Sequence, residues 1–268
     1  MKLALNRGTT GGGLPLPEFV RLASESGFPA ADFDPGFGSP EQLRDLFGSF
    51  GVDFGGWGVP EWRKDESEWR QNLIKLDGMA RTAAAIKADH GATWILPSSD
   101  LPFMETWRFH VTRLSEVAKV LAGHGLRLGL EFVAPYHLRV MKPHEFVFTP
   151  GLMLELAAEV GSNVGLLVDC FHLHCAGVPM SFLSRVPAGK IVLAHVNDAP
   201  RLPLTDIADG NRLLPGEGAI DQAGFRSALQ AAGYDGPVSL EVFSRLKNVP
   251  PAEAARTAAA ACRAAGWL

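Results

Sequence analysis

The sequence predicts one (β/α)8 barrel, a TIM barrel, extending over residues 1–268. Eight short apolar runs typical of buried strands are distributed along the chain, and helical patterns lie between several of them. Because a parallel neighbour needs a long crossover, this alternation favours parallel pairing, and eight such units in about 250 residues make a closed barrel. The runs lie near residues 2–6, 30–34, 52–59, 93–97, 127–133, 163–169, 190–196 and 237–243.

The helices are indicated by apolar residues at steps of three and four. In "SEWRQNLIKLDGMARTAAAIKADHG" the apolar positions follow this period, and Gly91 is expected to close the helix. Residues 105–125 repeat the pattern and end at "GHG", while the final "PPAEAARTAAAACRAAG" starts with proline and continues with strong helix formers. On this interpretation His90, His110 and His124 lie on helices or at their ends, away from the mouth of the barrel.

The alternative fold is an open doubly wound sheet, which usually carries a glycine-rich nucleotide loop after its first strand. The stretch "GTTGGG" at residues 8–13 matches neither the dinucleotide nor the P-loop pattern, so it is interpreted as a flexible first loop. No linker or compositional break divides the chain, which favours the barrel.

Composition excludes several classes of protein. A hydrophobic fraction of 47% with 20% charged residues is typical of a soluble globular protein, and no run approaches the roughly 18 apolar residues of a membrane helix. Only "LAL" precedes Asn6, too little for a secretory signal, so a cytoplasmic location is expected. The net charge of −4 without a basic block argues against nucleic-acid binding, and three cysteines do not suggest a disulfide framework.

Four of the apolar runs end on residues that can bind metals. "LRLGLE" ends at Glu131, "NVGLLVD" at Asp169, "KIVLAH" at His195 and "PVSLE" at Glu241. The carboxyl ends of all barrel strands meet at one face, so these four side chains, from strands 5 to 8, are expected to surround one divalent ion. Three oxygen ligands and one nitrogen favour Mn²⁺, with Mg²⁺, Co²⁺ and Zn²⁺ as alternatives. The competing interpretation is that the carboxylates only cap the following helices.

In these motifs the sequence resembles the xylose isomerase-like TIM barrels, which include sugar epimerases, inosose isomerases and endonuclease IV. The resemblance implies that Glu131, Asp169, His195 and Glu241 bind one metal. It also implies that Glu131 and Glu241 are the catalytic acid/base pair, and that His172 in "VDCFH" binds a substrate oxygen. The stretch "NRLLPGEGAID", residues 211–221, is similar to the loop before the last helical unit, particularly in inosose isomerase-like members.

Three further residues are candidates for substrate binding. Arg201 and Arg212 lie in the loop after strand 7, where an arginine fork suits hydroxyl, carboxylate or phosphate groups, although exposed surface positions are equally compatible. Trp57 in "FGGWGVP" follows strand 3 and could stack on a sugar face or belong to the core. His137, Arg139, Lys142 and His144 lie on the same side of the barrel in no pattern that assigns a role.

Together these features predict a divalent-metal-dependent isomerase or epimerase of a keto-sugar or inosose, which moves a proton through an enediolate with two glutamates. A small polyhydroxy ketone is the expected partner, and a homo-oligomer is left open. The alternative is a lyase like 3-dehydroshikimate dehydratase on the same metal site, and a non-catalytic sugar-binding protein is a third reading. A DNA-repair endonuclease would need further histidines after strands 3, 4 and 7, which the sequence lacks.

Overall fold

The computed structural model describes residues 1–243 and 245–268 and contains one sheet of eight parallel strands. The strands are Lys2–Leu5 (β1), Ala30–Ala31 (β2), Asp53–Phe54 (β3), His90–Ile95 (β4), Arg127–Phe132 (β5), Val164–Asp169 (β6), Ile191–Val196 (β7) and Pro237–Leu240 (β8). Their spatial order in the sheet is β3-β2-β1-β8-β7-β6-β5-β4. All eight predicted strands are present, and the predicted barrel fold is confirmed.

The two edge strands of this order, β3 and β4, are joined through the residues that follow β3. Gly58 and Ala92 form an isolated parallel bridge, in which the amide of Val59 donates to the carbonyl of Ala92 at 2.9 Å and the amide of Ala92 to that of Trp57 at 3.0 Å. The third strand therefore has a neighbour on both sides, because the segment after Phe54 pairs with β4. The predicted run at residues 52–59 includes this segment, and the sheet closes on itself.

The strands form because their runs are apolar on both faces. Every residue of β6 and of β7 is buried, as expected for parallel strands that are covered by helices outside and by side chains inside. The α-helices are Leu16–Ser26, Pro40–Phe50, Glu66–Ala85, Phe103–Gly123, Tyr136–Arg139, Pro150–Val160, Cys170–Cys175, Gln222–Ala231 and Pro251–Ala264. A two-stranded antiparallel pair, Ser98–Ser99 with His144–Glu145, lies apart from the barrel sheet.

Helix starts follow local sequence chemistry. Ser39 and Gln42 form a reciprocal capping box, and the side chain of Asp65 accepts from the amide of Glu68 at the start of Glu66–Ala85. Proline occupies the first turn of several other helices, where its missing N–H has no intrahelical partner to lose.

The expected closure of the third helix at Gly91 is wrong. The helix ends at Ala85, Lys87 adopts a left-handed backbone with φ 65°, and Gly91 lies inside β4. A Cβ at Gly91 would lie 3.0 Å from the ring of Trp57, so the glycine permits close packing rather than a helix cap. His90 is likewise the first residue of β4 and not a helix residue, although it does lie at the end away from the mouth.

The other sequence expectations about the interior can be placed directly. His110 is buried within Phe103–Gly123, and His124 follows that helix. The three cysteines are buried free thiols at positions 170, 175 and 262. Across the two described ranges, no helix combines the length and hydrophobicity that a membrane span requires.

Candidate metal centre

The register of the last strands brings four predicted side chains together. Asp169 pairs directly with His195 across β6 and β7, while Glu131 lies near the end of β5 and Glu241 directly follows β8. One ligand atom from each residue lies within 4.8 Å of the others. His195 Nδ1 is 3.2 Å from Glu241 Oε2, 3.5 Å from Glu131 Oε1 and 3.9 Å from Asp169 Oδ2.

This cluster fits a divalent ion. Three carboxylates and one imidazole form a donor set typical of Mn²⁺, Mg²⁺, Co²⁺ or Zn²⁺. Among the described residues, Oε1 of Glu131 is buried without any hydrogen-bond partner. A buried carboxylate oxygen that is left unpaired is costly, and a cation beside it would remove that cost.

Asp169 also acts as a helix cap. Its Oδ1 accepts from the amide of Phe171 at 2.7 Å, at the start of Cys170–Cys175. The helix-capping interpretation is therefore correct for Oδ1 of Asp169. The other oxygen, Oδ2, lies near His195 in the cluster.

The two glutamates differ in their protonation equilibria. Burial raises the pKa of Glu131, and the nearby imidazole of His195 offsets only part of this effect. Burial also acts on Glu241, but the charges of His195 and Arg212 outweigh it and hold the pKa of Glu241 below its usual range. Two neighbouring carboxyls with pKa values pushed apart are the usual arrangement of an acid/base pair.

Arg212 is buried in the cluster. Its Nη1 donates to Asp169 Oδ2 at 2.7 Å and to Glu241 Oε2 at 2.6 Å, and its Nη2 donates to Asp209 Oδ1 at 3.0 Å. The same Nη2 lies 3.1 Å from Nε2 of His172. Burial, reinforced by the charge of Arg212, holds the pKa of His172 well below its usual range, so this imidazole is neutral.

Two residues of the stretch "HVNDAP" belong to the site although no role was predicted for them. The Asn197 side-chain amide donates to both carboxylate oxygens of Asp169, at 3.0 and 3.1 Å. Asp198 is fully buried and accepts from the amides of Ala199, Gly216, Gly218 and Ile220 at 2.8–2.9 Å. Asp198 thereby folds the "LLPGEG" loop that follows Arg212. In the sequence, the signal for Asn197 and Asp198 was their position shortly after His195, a predicted strand-end ligand.

A cavity of about 260 Å³ opens beside Glu131, His195 and Glu241. Trp57, only 4% exposed, lines it together with Phe33. Arg201 is exposed and is not among the residues that line this cavity.

Asp32 is a further cavity carboxylate that the sequence did not reveal. Its Oδ1 accepts from Ser239 Oγ at 2.6 Å and from the Gly56 amide at 2.8 Å, and its Oδ2 accepts from Asn6 Nδ2 at 2.9 Å. Burial raises the pKa of Asp32 to about 6 in spite of these bonds. The same Asn6 nitrogen lies 3.5 Å from Glu241 Oε1, so Asn6 connects Asp32 with the cluster.

Comparison with known proteins agrees with this geometry. Residues 12–265 match the family model described as xylose isomerase-like TIM barrel. An inosose isomerase of Halalkalibacterium halodurans is 31% identical over 182 residues, 67% of this chain and 62% of that protein. A 3-dehydroshikimate dehydratase of Pseudomonas putida is 27% identical over 240 residues, 85% of this chain but 36% of that protein.

Solved structures give the same result over nearly the whole chain. The xylose isomerase domain protein from Alicyclobacillus acidocaldarius has a TM-score of 0.89 and 28% identity, covering 99% of this chain and 98% of that one. The IolI protein, solved with a binding zinc atom, has a TM-score of 0.79 at 24% identity, with the same coverage, and shows the fold. With its parallel barrel and strand-end cluster, the chain belongs to the xylose isomerase-like TIM barrel family, as its motifs predicted.

Proposed function

We propose that the protein is a divalent-metal-dependent isomerase or epimerase acting on a small keto-sugar or inosose. The observation that carries this proposal is the pair Glu131 and Glu241, which lie in one buried cluster with His195 and Asp169 and both line the wall of one cavity. Reversible proton transfer beside a carbonyl needs one group to take a proton and one to return it. Relatives named as inosose isomerase support the substrate class.

Glu131, Asp169, His195 and Glu241 would hold the metal. When bound, the ion would polarise the substrate carbonyl and stabilise negative charge on oxygen, with Mn²⁺ the first choice and Mg²⁺, Co²⁺ or Zn²⁺ as alternatives. The bound ion would give a partner to Oε1 of Glu131, a buried oxygen that has no hydrogen-bond partner among the described residues.

The remaining roles follow from position. One glutamate takes the proton from the carbon beside the carbonyl, and the other delivers a proton to the product. His172 and Arg212 contact each other but are not among the residues that line the cavity, so they would act on the substrate through the carboxylates of Asp169 and Glu241 that Arg212 holds. Trp57 would cover the apolar side of the substrate and exclude water. For Arg201 a binding role requires movement of its exposed loop toward the cavity.

The test is a panel of ketoses, inososes and 3-dehydroshikimate in D₂O with Mn²⁺, followed by proton NMR. We expect deuterium to enter the carbon beside the carbonyl of at least one substrate, together with isomer formation. Binding of a sugar without any exchange would instead indicate a non-catalytic binding protein.

Two variants assign the exchange to this site. Glu131→Gln and Glu241→Gln each keep an oxygen near the metal position but lose the acid/base group, so we expect a roughly 10²- to 10⁴-fold lower exchange rate. Metal content is measured on the same samples, so that ion loss is separated from loss of proton transfer. Glu116→Gln, on the outer face of Phe103–Gly123, is the matched control and should exchange at the wild-type rate.

A lyase is the second candidate, because the matched dehydratase region extends over 85% of this chain. Isomerase and dehydratase both begin with proton removal beside a ketone, and they differ in whether the enolate is reprotonated or expels hydroxide. Ultraviolet absorbance distinguishes them, since dehydration of 3-dehydroshikimate produces an aromatic ring. Growth of that absorbance would favour the lyase.

A further inference from the structure

Arg7 is a cation on the cavity wall that the proposed chemistry does not use. It follows β1, lines the same cavity as Glu131 and Glu241, and is partly buried. Its Nη2 donates to the carbonyl of Leu14 at 2.6 Å, and its guanidinium carbon lies 5.8 Å from the ring centroid of Phe19. Within residues 1–243 and 245–268, no carboxylate oxygen lies within 4 Å of its nitrogens.

The guanidinium of Arg7 has more N–H donors than its contact with Leu14 uses. Arginine carries five N–H donors, and one contact with a backbone carbonyl neither neutralises the charge nor fills the planar fork. The Leu14 contact fixes the side chain at the wall. Such a fixed fork matches the two oxygens of a carboxylate.

Outside the ligands of the metal cluster, the other charged side chains in or next to the cavity already have partners. Arg212 is bound by Asp169, Glu241 and Asp209. Asp32 is the carboxylate of the wall outside the metal cluster, and it accepts from Ser239, Gly56 and Asn6, so its oxygens have their own donors. Arg7 is therefore the cation on this wall that still lacks a counterion among the described residues.

We propose that Arg7 binds a carboxylate of the substrate, so that the natural substrate is an acidic polyhydroxy ketone rather than a neutral sugar. This inference rests on the proposed function and restricts its substrate class to ketones that carry a carboxylate, so that neutral inososes are excluded as the natural substrate. The hydroxy-ketone end lies against Glu131 and Glu241, and the carboxylate lies beside Arg7 at the end of β1. A cavity of about 260 Å³ lies below the usual range of roughly 300–1,000 Å³ for ligand pockets, which suits a six- or seven-carbon acid.

The first test is binding of an acid and of its neutral partner by the Mn²⁺-loaded protein, followed by the paramagnetic relaxation of ligand protons. D-fructuronate is compared with D-fructose, from which it differs only by a carboxylate at C6, and the cyclic acid 3-dehydroquinate is compared with the neutral cyclic ketone scyllo-inosose. We expect at least one acid to bind about 10- to 100-fold more tightly than its neutral partner. If neither acid is preferred, or if D-fructose 6-phosphate is preferred over both acids, the carboxylate assignment is wrong.

The second test uses variants of the same residue. Arg7→Met should abolish the preference for the acid and leave the affinity for the neutral partner within about threefold. Arg7→Lys keeps the charge without the fork and should retain part of the preference, and it provides the test if Arg7→Met does not fold. Arg21→Met removes an exposed arginine of Leu16–Ser26 and is the charge-matched control, with binding as in wild type. A preference that survives in Arg7→Met contradicts the inference.

Exchange in D₂O separates this inference from the function beneath it. If neutral ketoses exchange as well as the acids, the isomerase proposal stands and the role of Arg7 is refuted. If the acids bind through Arg7 but no substrate exchanges, the isomerase proposal fails while the carboxylate site stands. For an acid that does react, Arg7→Met should raise KM with little change in kcat, because a remote carboxylate contact is the same in the ground state and the transition state.

Discussion

The side-chain nitrogen Nδ2 of Asn197 lies 3.0 Å from Oδ1 and 3.1 Å from Oδ2 of Asp169, so one side-chain amide donates to both oxygens of a candidate metal ligand. The same nitrogen lies 3.2 Å from the carbonyl oxygen of Glu241, which ties the ends of β6 and β8 together. Such contacts around metal ligands fix their orientation and tune affinity.

Replacing Asn197 with Ala should weaken binding of Mn²⁺ by about 10- to 100-fold, since Asp169 loses a partner that binds both of its carboxylate oxygens. Calorimetric titration of metal-free protein measures the change. Asn163→Ala is the matched control, because that side chain donates to the carbonyls of Ala118 and Leu126 far from the cluster. The control should lose stability without losing metal affinity, and equal affinities in both variants would refute the orienting role.

Arg212→Met should destabilise the metal-free protein by about 3–5 kcal/mol, because it removes the guanidinium that binds the buried carboxylates of Asp169 and Glu241. Bound metal should restore part of this loss. Urea unfolding with and without Mn²⁺ measures both the loss of stability and its partial recovery by the metal. Arg245→Met removes a half-exposed partner of Glu217 and should change stability by less than about 1 kcal/mol. A loss that is identical with and without metal would contradict the account.

His110 should make the protein less stable in acid. Burial lowers the pKa of His110 to about 4, so between pH 6.5 and 4 the unfolded chain binds a proton that the folded protein does not. Stability from this residue is therefore lost as the pH falls through that window, by roughly 3 kcal/mol in total. His110→Phe, which keeps a ring among Trp62, Phe109 and Phe146, should remove this part of the pH dependence. Denaturant unfolding from pH 7 to 4 that gives parallel curves for the two proteins would disprove it.

Asp198→Asn should loosen the loop that begins after Arg212. The substitution replaces one of two oxygens that together accept four backbone amides, at a cost of about 1–3 kcal/mol. Hydrogen exchange should become faster at Gly216, Gly218 and Ile220. Asp221→Ala, which removes the cap of Gln222–Ala231, is the comparison and should cost about 1 kcal/mol without changing exchange in the loop. Unchanged protection in Asp198→Asn would show that the loop does not depend on this carboxylate.

The sequence was sufficient to predict the barrel and the cluster because both follow from the strand runs. Glu131, Asp169, His195 and Glu241 each end such a run, and parallel strands place their carboxyl ends on one face whatever the loops do. Gly91 was misread because the periodic pattern of the third helix continues to Ile86, while the close approach of Trp57 that requires the glycine is a tertiary contact.

The remaining parts of the site depend on contacts that no local pattern records. Asp32 follows a strand of only two residues, and its partners are distant in sequence: Ser239 lies in β8, and Asn6 directly follows β1. Arg212 and Arg201 looked equivalent in sequence, but the loop organised by Asp198 buries Arg212 against the carboxylates and leaves Arg201 exposed.

Crystals soaked in Mn²⁺ and measured at the manganese absorption edge test the shared metal most directly. We expect one anomalous peak per chain, bonded to one atom each of Glu131, Asp169, His195 and Glu241 at roughly 2.0–2.3 Å. A peak elsewhere, or full Mn²⁺ occupancy that leaves any of these four side chains out of reach, would contradict it.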